Sequence, residues 1–432
     1  MPHTPQTAVV RLLQSVTDAR NIVAGDRIEA QPQLVVMGPQ DGLAALKAYL
    51  LAGGEEIKHP DRVVLFTDDN LPAPDAAAAA RRKQLHEAAA QAGIKRVIPA
   101  AGCEVAHVLE QSLVVPGELA VSGLPEIHQL GGIGALGLRV TARDLAGLLA
   151  GKSLALTVPQ AVRVDLTSLR PETGFGAQAG QRQSLVSGRD VFFTLRREVS
   201  RDRLVGRALE IGGLGGFTLN ERMALAAQAS HAGVFGVFCL PDREGVAELN
   251  KRIARPYTTL EPEKDASYAY TAQLDLGHAQ LTVLGDSADE WQTVGELSGE
   301  PVKRVIIGGR GSCGLESVRK VVDIIKLRRL NPSVECHLIP DTREVYRAAL
   351  RQDLISQLVD SGVSVHPPGT SPESLGATGA LLTTVVAPKG CHRGGVVIAA
   401  TAACAGAIMH PERLDAAPQR DSKLSGRSPR AT

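Results

Sequence analysis

Between residues 60 and 102, short apolar runs alternate with longer stretches of helical period. "DRVVLFTDDN" (61–70) is a buried strand ending in acidic residues, and "DAAAAARRKQLHEAAAQAG" (75–93) is a helix opening at Asp75 and closing at Gly93. "KRVIPAAG" (95–102) is the next strand. The same rhythm returns near the C-terminus. "VKRVIIGG" predicts a strand, "LESVRKVVDIIKLRR" a helix, "SVECHLIP" a strand, "TREVYRAALRQDLISQLVDSG" one long helix, and "VSVHPPG" a strand end. Strands alternating with helices predict parallel sheets covered by helices, an α/β protein. The middle differs. "GKSLALTVPQAVRVDLTSLRPETG" (151–174) carries short strands and no helical period, which predicts a smaller domain.

The 432 residues suit two to three domains, with soft boundaries near 150 and 270. The stretch 255–268, "RPYTTLEPEKDASY", is the best linker candidate because of its prolines and charges. Residues 1–8 are short and polar and read as loose. The Pro-, Ser- and Arg-rich stretch 417–432 has little to bury and reads as a disordered tail.

Composition narrows the functional classes. A net charge of +1 gives no electrostatic footprint for nucleic acid or acidic lipid. No apolar run reaches the ~20 residues that span a bilayer, and the N-terminus lacks a signal-peptide pattern. The six cysteines are scattered with no Cys-x-x-Cys, as in a cytoplasmic protein with reduced thiols. Aromatic residues make up only 3%, so the cores must be built from Ala, Val, Leu and Ile.

Several constellations are chemically capable. Gly309, Gly311 and Gly314 spell G-x-G-x-x-G between a strand and a helix, a turn suited to holding an anion at a helix N-terminus. The acidic residue that would close a dinucleotide site, Asp341, lies 27 residues past Gly314, a loose spacing, so a plain strand–turn–helix is the stronger reading. Cys313 sits in the same turn, where an accessible thiol would be acidified. Asp68 and Asp69 stand at a strand's C-terminal end, where open α/β sheets bind ligands. His107 and Glu110 share a helix face. Glu126 and His128 share a strand face if their segment is extended. Cys391, His392 and Arg393 fall in one loop, and Arg393 is able to clamp a carboxylate through two hydrogen bonds. Taken singly, each of these reads as structural more readily than as catalytic.

The order of these segments resembles the aconitase superfamily, and most closely the large subunit of 3-isopropylmalate dehydratase, over about residues 45 to 412. "HPDRVVLFTDDNLPAPD" resembles the family's Asp-His-Asn stretch. "VLEQSLVVPGELAVSG" with "GGIGALGLRVTARDLAGLLAG" resembles the region around its Asp-Ser-His-Thr. "ALEIGGLGGFTLNERMALAAQASHAG" resembles its middle-domain segment, "VIIGGRGSCGLESVRKVVDIIK" its Gly-Ser-Cys-Thr-Asn element, and "VVIAATAACAGAI" its closing Ala-rich helix. The resemblance implies three α/β/α domains without the swivelling fourth domain: an N-terminal extension 1–30, domains at 31–150, 151–270 and 271–414, and a tail 415–432. It also implies a small-subunit-like partner.

Family members remove and re-add water on a hydroxy di- or tricarboxylic acid, using a [4Fe–4S] cluster held by three cysteines. Cys313 matches the first of these. The other two positions carry Thr370 and Glu373, Asp-Ser-His-Thr becomes Leu124, Pro125, Glu126 and Ile127, and the His of Asp-His-Asn becomes Asp69. Scaffold positions are kept while chemical ones are replaced. The expectation is therefore a diverged lyase or isomerase acting on a small carboxylic acid without the cluster. Its candidate catalytic groups are Asp68, Asp69, His107, Glu126, His128 and Cys313, with Arg222, His392 and Arg393 binding substrate. These side chains are expected to converge, and Glu126, His128 and Asp69 are the candidates for a mononuclear metal. Two alternatives stay open: a non-catalytic scaffold or regulatory paralogue, and a cluster rebuilt on Cys313, Cys391 and one further cysteine.

Overall fold

The computed structural model describes residues 4–67, 73, 75–99, 102–168, 172–173, 183–286, 290–326, 328–384, 387 and 389–414. Asp68 and Asp69, and the tail from 415, lie outside the described residues.

The apolar runs pair as expected. In space order, strands Val97–Ile98, Val63–Phe66, Leu34–Met37, Leu119–Ser122 and Leu136–Arg139 form a wholly parallel sheet. Every residue of 34–37, 63–66 and 119–122 is buried, which is why these strands read as unbroken apolar runs. A second parallel sheet joins Gly236–Cys239, Ala208–Gly212, Ala161–Thr167 and Tyr270–Asp275. The third has seven strands. Its parallel part runs His392–Arg393, Leu381–Leu382, Arg304–Gly308, Glu335–Ile339 and Ser364–Val365, and Thr282–Leu284 and Trp291–Thr293 continue it antiparallel. The cores are aliphatic, as the scarcity of aromatics requires. No helix among the described residues is long and apolar enough to cross a membrane.

Four local expectations are corrected. The long helix after Thr342 is two helices, Arg343–Arg351 and Leu354–Asp360. The chain breaks at Asp353, which adopts a left-handed φ of 58°, a conformation short polar side chains tolerate. The segment carrying Glu126 and His128 is not extended but a 3₁₀ helix, Pro125–Ile133, opened by a proline and buried on all sides. Residues 4–8 are not loose. Thr7 caps the helix Ala8–Ser15, and the buried Glu210 carboxylate accepts the Val9 N–H at 2.8 Å. The segment 255–268 is tied down at both ends. Arg255 donates to the Ser112 carbonyl at 3.0 Å, and Tyr268 donates to Glu210 at 2.8 Å.

Candidate active site

The site is built around the glycine-rich turn after strand Arg304–Gly308. Residues 308, 309, 310 and 311 all have positive φ, 96°, 73°, 79° and 84°. At Gly308 a Cβ would lie 1.9 Å from the Ile339 carbonyl oxygen, so only glycine fits there. This left-handed run curls backbone N–H groups around one point, and a side chain of the protein occupies that point. Asp341, just past the end of the neighbouring strand, accepts from the N–H of Gly311 at 3.1 Å and of Cys313 at 2.9 Å through the same oxygen. The anion that the turn holds is therefore the chain's own carboxylate. Burial pushes the Asp341 carboxyl up to about 7, against the opposing pull of these backbone hydrogen bonds.

Above Asp341 opens a cavity of about 670 Å³. The N-termini of helices Gly188–Glu198, Leu315–Ile325 and Val396–Ala405 all reach it. Each brings the partial positive charge of a helix N-terminus there. Ser187 and Asp190 form the capping box that starts the first of these helices and places Arg189 in its first turn. Arg189 is 5% exposed. It donates to the Arg393 carbonyl at 2.7 Å and lies over the Phe193 ring at 5.8 Å. Its Nε has no acceptor among the described residues. Burial lowers its pKa to about 10, with Asp190 opposing and Arg393 adding to the shift, so it stays charged at neutral pH. The Asp190 oxygens are taken up by Ser187, at 2.9 Å from its N–H and 2.7 Å from its hydroxyl, and by the Thr282 N–H at 2.8 Å. At the cavity floor the hydroxyls of Ser312 and Thr383 meet at 2.9 Å.

The candidate residues from sequence do not gather here. Among the described ones, none of His107, Glu126, His128, Cys313, Arg222, His392 and Arg393 lines the cavity. His107 packs edge-on to Phe66 at 5.6 Å, and burial lowers its pKa. Glu126 and His128 are buried in the 3₁₀ segment. Burial raises the first carboxyl and lowers the second group to about 4. Arg222 is held by Asp242 at 2.8 Å and by the carbonyls of Phe217 and Leu214. His392 meets Glu300 at 2.8 Å, and Arg393 donates to the Gly285 carbonyl at 2.8 Å. Cys313 is fully buried, and burial, then Asp341, pushes its thiol well up, opposite to the acidified thiol an accessible turn would give. Sequence reading missed Arg189, Gln129, Gln228 and Ser312 as cavity groups. The Ser-x-x-Asp spacing at 187–190, a helix-start pattern, is the local signal that could have led to Arg189.

The residues beside the turn do not supply a cluster's ligands. Thr370 donates its hydroxyl to the Pro367 carbonyl at 2.7 Å, and Glu373 accepts from Ser371. Cys391 donates to the Ala377 carbonyl at 2.9 Å, within an apolar cluster with Ile306 and Leu382. The space between Cys103, Arg310, Asp341 and Thr370 is about 30 Å³, room for roughly one water rather than an eight-atom cubane. Among the described residues no three His, Cys, Asp or Glu side chains are grouped to hold a metal.

Parallel sheets covered by helices, with helix N-termini from two of the sheets meeting at one cavity, define an α/β protein with its cavity at the ends of its elements. The sequence profile of the Aconitase family (aconitate hydratase) matches residues 55–288, more than half of the chain, and the chain belongs to that family. It is 26% identical over 371 residues to a 3-isopropylmalate dehydratase large subunit of Syntrophus aciditrophicus, covering 85% of this chain and 86% of the relative. To the 3-isopropylmalate dehydratase large subunit of Heliobacterium modesticaldum it is 24% identical over 429 residues, 95% of this chain and 99% of the relative. Among solved structures, Thermococcus kodakaraensis aconitase X in its holo-form aligns with a TM-score of 0.49 at 10% identity, over 95% of this chain and 94% of the other.

Proposed function

We propose that this chain is a lyase or isomerase of a small carboxylic acid that works without a [4Fe–4S] cluster, in the cavity beside Asp341. One observation carries the reading. Arg189 is a buried, charged guanidinium with an unpaired Nε at the cavity wall, where three helix N-termini converge. A desolvated cation lacking a full set of acceptors is stabilised by a ligand anion, and a carboxylate matches its planar donors.

Asp341 is the proton-handling group, because it lines the cavity and burial raises its carboxyl to about 7, where it exchanges a proton near neutral pH. It takes the proton from the carbon next to the bound carboxylate. The C–H electron pair passes into the carboxylate as an enediolate, whose charge Arg189 and the helix N-termini offset. Return of the proton to the opposite face of that carbon isomerises the acid. Its transfer to a hydroxyl leaving from the neighbouring carbon gives water and an alkene. The likeness to large subunits extends over most of the chain, and this supports a small-subunit-like protein as partner.

The test is calorimetric titration of four- to six-carbon carboxylic acids into the natural chain and into Arg189→Met. Loss of a charge-assisted contact predicts at least about tenfold weaker binding in the variant. Equal binding by a folded Arg189→Met would contradict the assignment.

A further inference from the structure

Two other buried side chains on the cavity wall each carry one polar atom without a partner among the described residues, and the two atoms are chemically opposite. Gln129, 1% exposed, has an unpaired Nε2, a donor. Gln228, 2% exposed, has an unpaired Oε1, an acceptor. The orientation of the Gln228 amide follows from its own bond, since Nε2 donates to the Ala224 carbonyl at 3.1 Å. A flipped amide would set two oxygens against each other. Gln228 lines the same cavity as Arg189, from a helix packed against the Arg189 helix. It follows Leu225 by three residues, on one face of the Leu219–Ala227 helix. That face meets the start of the Arg189 helix, where a Cβ on Gly188 would lie 1.9 Å from the Glu221 carbonyl and 3.2 Å from Leu225.

The two donors, Arg189 Nε and Gln129 Nε2, suit a carboxylate. Gln228 Oε1 does not: it repels a carboxylate oxygen and is satisfied only by a donor. We infer that Gln228 is a specificity-determining residue that accepts a hydrogen bond from a hydroxyl carried by the acid bound at Arg189. This rests on the carboxylic-acid reading above. It assigns the hydroxyl recognition to a neutral amide on the cavity wall. A protonated amine would also donate, and Lys320 on the same wall is already paired with Glu316 at 2.9 Å, so aspartate is the ligand that separates an amine from a hydroxyl at Gln228. A site built to pair a hydroxyl discriminates against the analogue lacking it, because the buried acceptor is then left unpaired.

Malate, aspartate and succinate share one skeleton and test this directly by titration calorimetry. The natural chain should bind malate about tenfold or more tighter than succinate, the factor a single unpaired buried acceptor supplies, and tighter than aspartate. In Gln228→Leu, with Gln228→Met as a second replacement and folding checked by circular dichroism, the gap between malate and succinate should close to about twofold. Succinate binding as tightly as malate to the natural chain would overturn the inference, and would show that water satisfies Gln228. So would a gap that persists in both folded variants, or aspartate binding best. These outcomes leave Arg189 standing as a carboxylate site. Failure of all three acids to bind defeats the underlying reading, and this inference with it.

Discussion

Asp341 carries the proton transfer in the proposed reaction, and its burial has a consequence for stability. Its carboxyl is raised from 3.8 to about 7, so the folded chain holds a proton there that the unfolded chain has released. The stability this group contributes is fully present below pH 3.8 and is lost as pH rises through about 7. In Asp341→Asn the slope across that window should flatten, by a total on the order of a few kcal/mol from the ~1.4 kcal/mol carried by each pKa unit. Urea titrations of both proteins between pH 4.5 and 8 check this, and parallel stability profiles would count against it. Asp341 also shows what a sequence hides at this scale. The glycines of the turn and its anion-holding character were legible. That the anion is the chain's own carboxylate was not, because it comes from the next strand, and 27 residues of spacing do not reveal which way a side chain turns. Arg189, Gln129 and Gln228 were invisible for the same reason: a polar residue looks solvated until neighbours from distant elements bury it.

At the scale of elements, strands and helix starts were read well, since strand burial and capping are local. Asp75 caps its helix through the Ala78 N–H at 2.6 Å, and Thr342 does so through Val345 at 3.1 Å. The break at Asp353 and the 3₁₀ helix Pro125–Ile133 were missed, because both are set by packing. Gly131 and Gly132 in that helix lie so close to Val237 and to Met223 that a Cβ would sit 2.1 Å and 2.4 Å from backbone atoms. The same closeness joins the two helices that carry Arg189 and Gln228. Gly188→Ala gains up to about 1 kcal/mol in helix propensity. It loses about 1–3 kcal/mol to overpacking, because the atom 1.9 Å away is a backbone oxygen that cannot swing aside. The net should be destabilisation, read as a lower denaturant midpoint. Gly215→Ala, with nothing within 4 Å, serves as the neutral control. An unchanged or raised midpoint for Gly188→Ala would refute the tight-packing account.

At the scale of the whole molecule, the three sheets and their aliphatic cores are those of the aconitase family, and the cavity lies where helix N-termini from two of them meet. Fold class was legible because alternation of strand and helix repeats along the chain. The site was not, because the described candidate side chains pack away from the cavity, while its wall takes other residues of the same segments, such as Ser312 and Gln228, whose burial depends on distant elements. The central claim is that this scaffold works without an iron–sulfur cluster. The direct measurement is iron and acid-labile sulfide on anaerobically purified protein, with its visible spectrum. The account predicts a colourless chain with neither iron nor sulfide in stoichiometric amount. About four irons and four sulfides per chain, with the broad visible absorbance of a thiolate-bound cluster, would contradict it.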